Sequence, residues 1–366
     1  MQETMKAWVL HGAQDLRYED MKVPEIGPLD ALIRPVMVST CTTDVHLLET
    51  ADAMPWMLGK ALGHEAVGVI EKVGSDVVDF KAGDLVTIPG AAPEFRSLEG
   101  QLGKAYLVDK GPYSILNKDI PERGGSFCEL VYVHDVDMNA ARIEEGVTPI
   151  QALMFTDMVK TAIGTVKEAE VGLGDSVCVI GIGPVGLCAV ELCAIQGAAS
   201  IVGVGHRQRC RELAMKYGAT ATCSYKDGDI AEQAIALNGG KKFDKVLICG
   251  GNSDKVFNDA LKCVGQPATI SNAVFFATDR ETILDNRLWA FGNSRVTIRG
   301  VGSKIMGRAN NERYMKLIQL GRIHPEHLVT HKFYGLEQVP EAIKLMADHD
   351  PDVIKPIVIL DKNYDY

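Results

Sequence analysis

The chain has 366 residues, 46% of them hydrophobic and 23% charged, with a formal net charge of −10. That length allows two domains, or one large domain with a subdomain. The acidic balance argues against nucleic acid or an anionic membrane as partner, since both need a basic face.

From the N-terminus, MQETMKAWVL lacks the basic region and long apolar core of a secretory signal. KAWVLH, ALIRPVMVST, HEAVGVIEKVG, DLVTIPG and SFCELVYVH then read as short strands. Their close spacing, with few helical patterns, predicts an all-β unit of sandwich or barrel type. One of them poses a question. In GKALGHEAVGVI, His64 and Glu65 stand side by side at the head of a strand bound for burial. Burying an imidazole and a carboxylate costs several kcal/mol unless something pairs with them. A metal ion or a hydrogen-bonded core pair would do so. Residues 91–124 follow as a long irregular connection, of the kind that serves a function or builds a lobe.

From about residue 157 the texture changes. DSVCVIGIG, ASIVGVG, TATCSY, FDKVLICGG and ATISNAV read as strands, and PVGLCAVELCAIQG and RQRCRELAMKYG as helices stopped by Gly197 and Gly218. Strands apolar on both faces, alternating with helices, predict a doubly wound parallel sheet covered by helices. Residues 176–205 carry one charge, Glu191, and are long enough to span a bilayer. Gly181, Gly183, Pro184 and Gly186 break them early, and Gly203 and Gly205 late, so strand, loop, helix and strand describe them better. The tail returns to strands in VTHKFYG and IKPIVIL. The organisation is α/β: a doubly wound domain over 158–302, inserted into a β-rich domain built from 1–157 and 303–366. Repeats and low-complexity segments are absent. The nine cysteines include no C-x-x-C pair, and several sit in apolar runs. They predict a reducing, cytoplasmic setting rather than a disulfide framework.

VIGIGPVG sets Gly181, Gly183, Pro184, Val185 and Gly186 between a strand and a helix. Gly181 permits the tight turn, Gly183 a close approach to a pyrophosphate, and Gly186 close helix–strand packing. The helix N-terminus then offers N–H groups and a positive dipole end to the phosphates. The pattern reads as a dinucleotide site of Rossmann type, the alternative being a glycine-rich packing turn. The end of the next strand selects the cofactor. An NAD site has an acid there for the ribose hydroxyls, whereas this chain has Gly205, His206, Arg207 and Arg209. NADP(H) is therefore expected, with Arg207 clamping the 2′-phosphate. The alternative is that both arginines are solvated residues of the next helix's first turn.

Cys41 in VSTCTTDVH, His64, and Asp157 in LMFTDMVKTAIG make a legitimate zinc set with one position left for water or substrate. A core Cys and a core His are common, so spacing alone leaves both readings open.

On CTTDVH, LGHEAVGVIEKVGSDVVDFKAGD, DMVKTA, GIGPVGL, KYGAT, YKDG and IKPIVIL, the chain resembles the zinc-dependent medium-chain alcohol dehydrogenases essentially end to end. Within them it is most similar to the NADP-dependent bacterial secondary alcohol dehydrogenases. The resemblance implies a GroES-like β-rich catalytic domain, with Cys41, His64 and Asp157 as zinc ligands. Asp157 stands where many relatives have Cys. Glu65 becomes a fourth, displaceable ligand or a partner behind the ligands. Thr43 and His46 become a proton relay, passing onward through the cofactor ribose. Gly205, His206, Arg207 and Tyr225 become the 2′-phosphate pocket, with His206 replacing the usual small hydroxyl residue. Many broader relatives hold a second, structural zinc on four closely spaced cysteines. Residues 91–124 contain no cysteine, so one catalytic zinc per chain is expected.

The implied activity is interconversion of a secondary alcohol and a ketone with NADP(H), in a homotetramer. Gly90, Ala91 and Gly302 stand where relatives carry larger apolar side chains, which implies a pocket open to bulky substrates. Against this, small residues at a strand end are also ordinary turn residues, and Tyr113, Phe275 or Trp289 are placed to refill the space. The competing functions are an NAD-dependent polyol or threonine dehydrogenase, a zinc-free quinone-reductase-like or nucleotide-sensing protein, and a structural role of crystallin type. His11, His134, His324, His327, His331 and His349 carry no motif and read as surface or packing residues.

Overall fold

Strands β1 (Thr4–Gly12) and β2 (Asp15–Lys22) open the chain as an antiparallel hairpin. Alternation on β1 turns Met5, Ala7 and Val9 inward. β3 (Ala31–Ser39) and β4 (Glu65–Val73) are buried along most of their length, as the unbroken apolar runs require. β5 (Leu85–Ile88), β6 (Val131–Val133) and β7 (Ala141–Arg142) complete the N-terminal part. The chain then runs through β8 (Ser176–Ile180), β9 (Ser200–Val204), β10 (Ala221–Cys223), β11 (Phe243–Ile248), β12 (Val264–Asn272) and β13 (Val296–Gly300). It returns with β14 (Val329–Tyr334) and β15 (Lys355–Ile359).

This computed structural model describes residues 3–251, 255–274, 283–289, 295–301 and 306–366. It divides into two units, Met1–Asp157 with Lys304–Tyr366, and Met158–Ser303. The first holds a sheet in the order β14-β15-β3-β4-β5-β7, with β6 also on β3. The last strand of the chain, β15, thus lies antiparallel to β3 beside β4. The second unit holds a parallel sheet in the order β10-β9-β8-β11-β12-β13, the doubly wound arrangement expected from its alternating strands and helices. Its order reverses between β8 and β11, where such sheets bind ligands at the carboxyl ends of their strands. Among the described residues, no helix is long and apolar enough to cross a membrane.

Some elements differ from the sequence reading. SFCELVYVH keeps a regular strand only at Val131–Val133, and β2 and β13 are additional strands. CTTDVH opens a helix, Thr42–Glu49, inside the β-rich unit. Thr42, Thr43 and Val45 are poor helix formers, so propensity concealed it. Asp44 Oδ2 fixes its start by accepting the Cys41 N–H at 2.8 Å, half of a capping box. His327 lies in the short helical turn Pro325–Leu328 and His331 on β14, so the tail histidines do not share a helix face.

The 91–124 connection forms a lobe of short helical turns. Asp109 Oδ1 accepts the N–H groups of Ala92 and Gly111, and Lys110 pairs with Glu94 at 2.6 Å. His134 joins the lobe to the sheet: Nδ1 lies 3.0 Å from Asp30 Oδ1 and Nε2 2.9 Å from Glu94 Oε2. Burial and Lys110 oppose charge on His134, but the two carboxylates outweigh them and raise its pKa. Burial likewise opposes charge on Asp30. The hydrogen bonds from His134, the Asp135 and Gly27 N–H groups and Tyr132 bring it down to about 2.

The signs fix a stability window. A raised His contributes fully below its unfolded value, about 6.5, and loses that contribution as pH rises through its folded value. A lowered Asp contributes above about 3.9 and loses it as pH falls toward 2. This hub therefore stabilises most between about pH 4 and 6.5. His134→Leu is expected to cost about 2–4 kcal/mol at pH 5.5, because Asp30 and Glu94 each lose a charged hydrogen-bond partner, and less at pH 8.5. Urea unfolding at both pH values measures it. An equal cost at both would remove the charge argument.

Candidate metal and nucleotide sites

Four donor side chains converge in the first unit. Cys41, His64, Glu65 and Asp157 each offer a ligand atom, and these atoms lie within 4.8 Å of one another. Three different elements deliver them. Cys41 ends the loop after β3 and caps the helix Thr42–Glu49. Glu65 begins β4, with His64 immediately before it. Asp157 sits in a π-helical turn, Phe155–Val159, between the helices Pro149–Met154 and Lys160–Ala169. Such wide turns are rare and gather at functional sites, because the extra residue re-aims a side chain.

The separations suit one small ion. His64 Nε2 lies 3.8 Å from Asp157 Oδ2 and 3.7 Å from Glu65 Oε1, and Cys41 Sγ lies 4.0 Å from Asp157 Oδ2. Ligands on a tetrahedral zinc, at about 2.0–2.3 Å each, stand about 3.3–3.6 Å apart. Cys S, His N and carboxylate O are zinc donors, and buried Glu65 Oε2 has no hydrogen-bond partner. Burial works to raise the Asp157 pKa, but the hydrogen bond and charge of His64 hold it well below the carboxylate range. Burial also opposes charge on His64, yet Asp44, Tyr113 and Asp157 raise it overall. A dication would take the place of the proton that these carboxylates favour on His64. The residues fit zinc.

The donor side chains have support behind them. His64 Nδ1 lies 3.4 Å from Asp44 Oδ1 and 3.4 Å from the Tyr113 hydroxyl, which leaves Nε2 facing the cluster. Tyr113 donates to Asp44 Oδ1 at 3.0 Å and accepts the Gly63 N–H at 2.8 Å. It comes from the 91–124 lobe, which therefore reaches the metal cluster without a cysteine. Lys355 Nζ donates to Glu65 Oε1 at 2.7 Å. Thr43 Oγ1 is 3.6 Å from Cys41 Sγ. His46, one turn along the same helix, has Nδ1 3.6 Å from Glu49. Gly90 has a packing reason to be glycine: a Cβ there would lie 2.8 Å from the His64 carbonyl oxygen. Ala91 is half-buried. Gly302 lies outside the described residues, as does Phe275.

The second unit carries the glycine turn after β8. Gly181 has φ +90°, and a Cβ on it would lie 2.4 Å from Gly250, two residues beyond β11. Gly183 caps the helix Pro184–Gln196, with Pro184 as its first residue. A Cβ on Gly186 would meet the Gly181 carbonyl at 2.0 Å. The turn is thus a cradle that side chains would fill. At the end of β9, Gly205 packs on Ile182. His206 Nδ1 lies 3.2 Å from Ser224 Oγ, and its ring stands 5.9 Å from that of Tyr225. Arg207 caps the helix Gln208–Lys216, and its Nη2 lies 3.7 Å from the Cβ position of Gly183. Gly205, His206, Arg207 and Tyr225 therefore stand together beside the turn, a cation among them and no acid at the strand end. These residues fit a 2′-phosphorylated dinucleotide.

Comparison with known proteins shows the family of the chain. The alcohol dehydrogenase GroES-like domain matches residues 27–145, and the zinc-binding dehydrogenase domain residues 184–320. An NADP-dependent isopropanol dehydrogenase of Entamoeba histolytica is 38% identical over 97% of this chain and 96% of its own length. One from Thermoanaerobacter brockii is 37% identical over 97% of this chain and 100% of its own. The chain belongs to the zinc-binding alcohol dehydrogenases. Zinc dependent alcohol dehydrogenase 2 from Streptococcus pneumonia shares the fold, with TM-score 0.83 and 25% identity over 98% of this chain and 99% of that one.

For this alcohol dehydrogenase, sequence reasoning missed Asp44 and Lys355, and read Tyr113 as a residue that could refill substrate space rather than as a partner of His64. Asp44 lay within the quoted CTTDVH. Lys355 is the lone charge in the apolar run IKPIVIL, the same signal that drew attention to His64 and Glu65. Tyr113 had no local signal, because its partners are 49 and 69 residues away.

Proposed function

We propose that this chain interconverts a secondary alcohol and a ketone, using one zinc per chain and NADP(H). The observation that carries the reading is the Cys41–His64–Glu65–Asp157 cluster in a chain whose nucleotide turn is flanked by Arg207 rather than an acid. Zinc supplies Lewis acidity toward the substrate oxygen, and NADP(H) supplies the hydride equivalent. Cys41, His64 and Asp157 would hold the metal, with Glu65 as an exchangeable donor. Asp44 and Tyr113 fix the tautomer and orientation of His64 from behind. The Thr43 hydroxyl, two residues after a ligand, takes or returns the alcohol proton, and His46 exchanges it with solvent. The turn Gly181–Gly186 and the helix behind it hold the pyrophosphate, and His206, Arg207 and Tyr225 hold the 2′-phosphate.

NAD-dependent polyol oxidation is disfavoured by the missing acid after β9. A bulky-substrate preference rests, among the described residues, on Ala91, since Gly90 is explained by backbone packing. A cytoplasmic homotetramer is the assembly in keeping with the cysteine usage and the family resemblance.

Purified protein is expected to oxidise NADPH in the presence of simple ketones, and NADH far more slowly. A series from acetone to aryl and polycyclic ketones reads pocket size in the same assay. Failure of every ketone with NADPH would overturn the reaction class.

A further inference from the structure

We infer that Lys355 is a positioning residue that prevents Glu65 from becoming a permanent ligand of the catalytic zinc. The inference rests on the metal reading above and goes beyond the ligand set.

The sheet builds the pair. Ile357 on β15 is opposite Ser39 on β3, and Ser39 is opposite Glu65 on β4. The Ser39 hydroxyl also donates to the Pro356 carbonyl at 2.9 Å. Lys355 therefore reaches past Ser39 to Glu65, and Nζ donates to Oε1 at 2.7 Å. The two residues are 290 apart in the chain, and they are 1% and 0% exposed. Water reaches neither, so each depends on protein or metal for a partner. Glu65 Oε2 has no hydrogen-bond partner.

Two cations thus compete for one carboxylate. A Cys41 thiolate with the Asp157 and Glu65 carboxylates exceeds a dication by one negative charge, and Lys355 supplies the balancing charge. A lysine bonded to one oxygen keeps the carboxylate in place while making its transfer to the metal reversible. The coordination position that an alcohol needs stays available. Without Lys355 the carboxylate loses its hydrogen-bonded cation, and the repulsion between ammonium and dication is gone. Both changes favour tighter zinc and a filled position.

The direction separates this role from a structural one. Loss of a merely structural buried lysine would loosen the site and speed metal loss. Lys355→Met is instead expected to slow zinc transfer to a chromogenic chelator by about tenfold or more, the scale on which groups behind metal ligands act. KM for the alcohol is expected to rise more than kcat falls. Lys355→Arg should return both toward wild type, and a Glu65→Gln background should remove most of the slowing. Lys355→Gln, neutral but still a hydrogen-bond donor, carries the same expectation should the Met variant not fold. A wild-type chain that takes up no zinc would overturn the metal reading and this inference together. A zinc-loaded wild type, with a folded Lys355→Met variant that releases zinc as fast or faster, overturns this inference alone.

Discussion

Cys41→Ser is expected to lose zinc and turnover together. Cys41 supplies the one sulfur in the cluster, with Sγ 4.0 Å from Asp157 Oδ2. A serine hydroxyl at neutral pH is a far weaker zinc ligand, since zinc sites draw on thiolate, imidazole and carboxylate. The exchange is mild in every other respect. Serine is close to cysteine in size and is itself a favoured residue at a helix start. The helix Thr42–Glu49, with Asp44 bonded to the backbone N–H of residue 41, should persist. Lewis-acid stabilisation worth several kcal/mol corresponds to a fall in kcat/KM of about a thousandfold. Elemental analysis should drop from one zinc per chain to near zero while circular dichroism and the thermal midpoint stay close to wild type. Ketone reduction at full rate by a zinc-free variant would end the metal mechanism.

Arg207→Gln is expected to weaken NADPH selectively. The guanidinium stands 3.7 Å from the Cβ position of Gly183, beside His206 and Tyr225, where the adenosine end of a dinucleotide meets the glycine turn. A charge-assisted hydrogen bond contributes about 1.5–3 kcal/mol, which predicts a rise of about 10- to 150-fold in the NADPH Kd. NADH lacks the 2′-phosphate, so its Kd should change by less than about threefold, a loss below 0.7 kcal/mol. Fluorescence titration with both cofactors at two salt concentrations checks this, and the NADPH effect should shrink as salt rises. An equal loss for both cofactors would make Arg207 a cap of the helix Gln208–Lys216 and nothing more.

The glycines of the nucleotide turn were legible because their reason is local. Gly181 needs a left-handed backbone, and Gly186 leaves no room for a Cβ against Gly181, six positions that any reader of the sequence sees at once. His64 and Glu65 were legible as a pair needing a partner, because polar groups inside an apolar run announce an unmet cost. Gly90 shows the limit of that method. A small residue beside a strand reads equally as substrate room or as a close approach, and only the distance to His64 separates the two.

By itself the sequence determined the two-domain α/β organisation, the glycine turn, and the donor types Cys41, His64 and Asp157. Periodicity, turn chemistry and ligand softness act within a few residues or through side-chain identity, so they are written along the chain. The tertiary structure alone decided who stands behind these donor side chains. Antiparallel pairing of β15 with β3 carries Lys355 to Glu65 across 290 residues, and the folded lobe carries Tyr113 to Asp44 and His64. Such partners are chosen by strand register and loop packing, which pair residues by position in space, and no local pattern in the sequence encodes them.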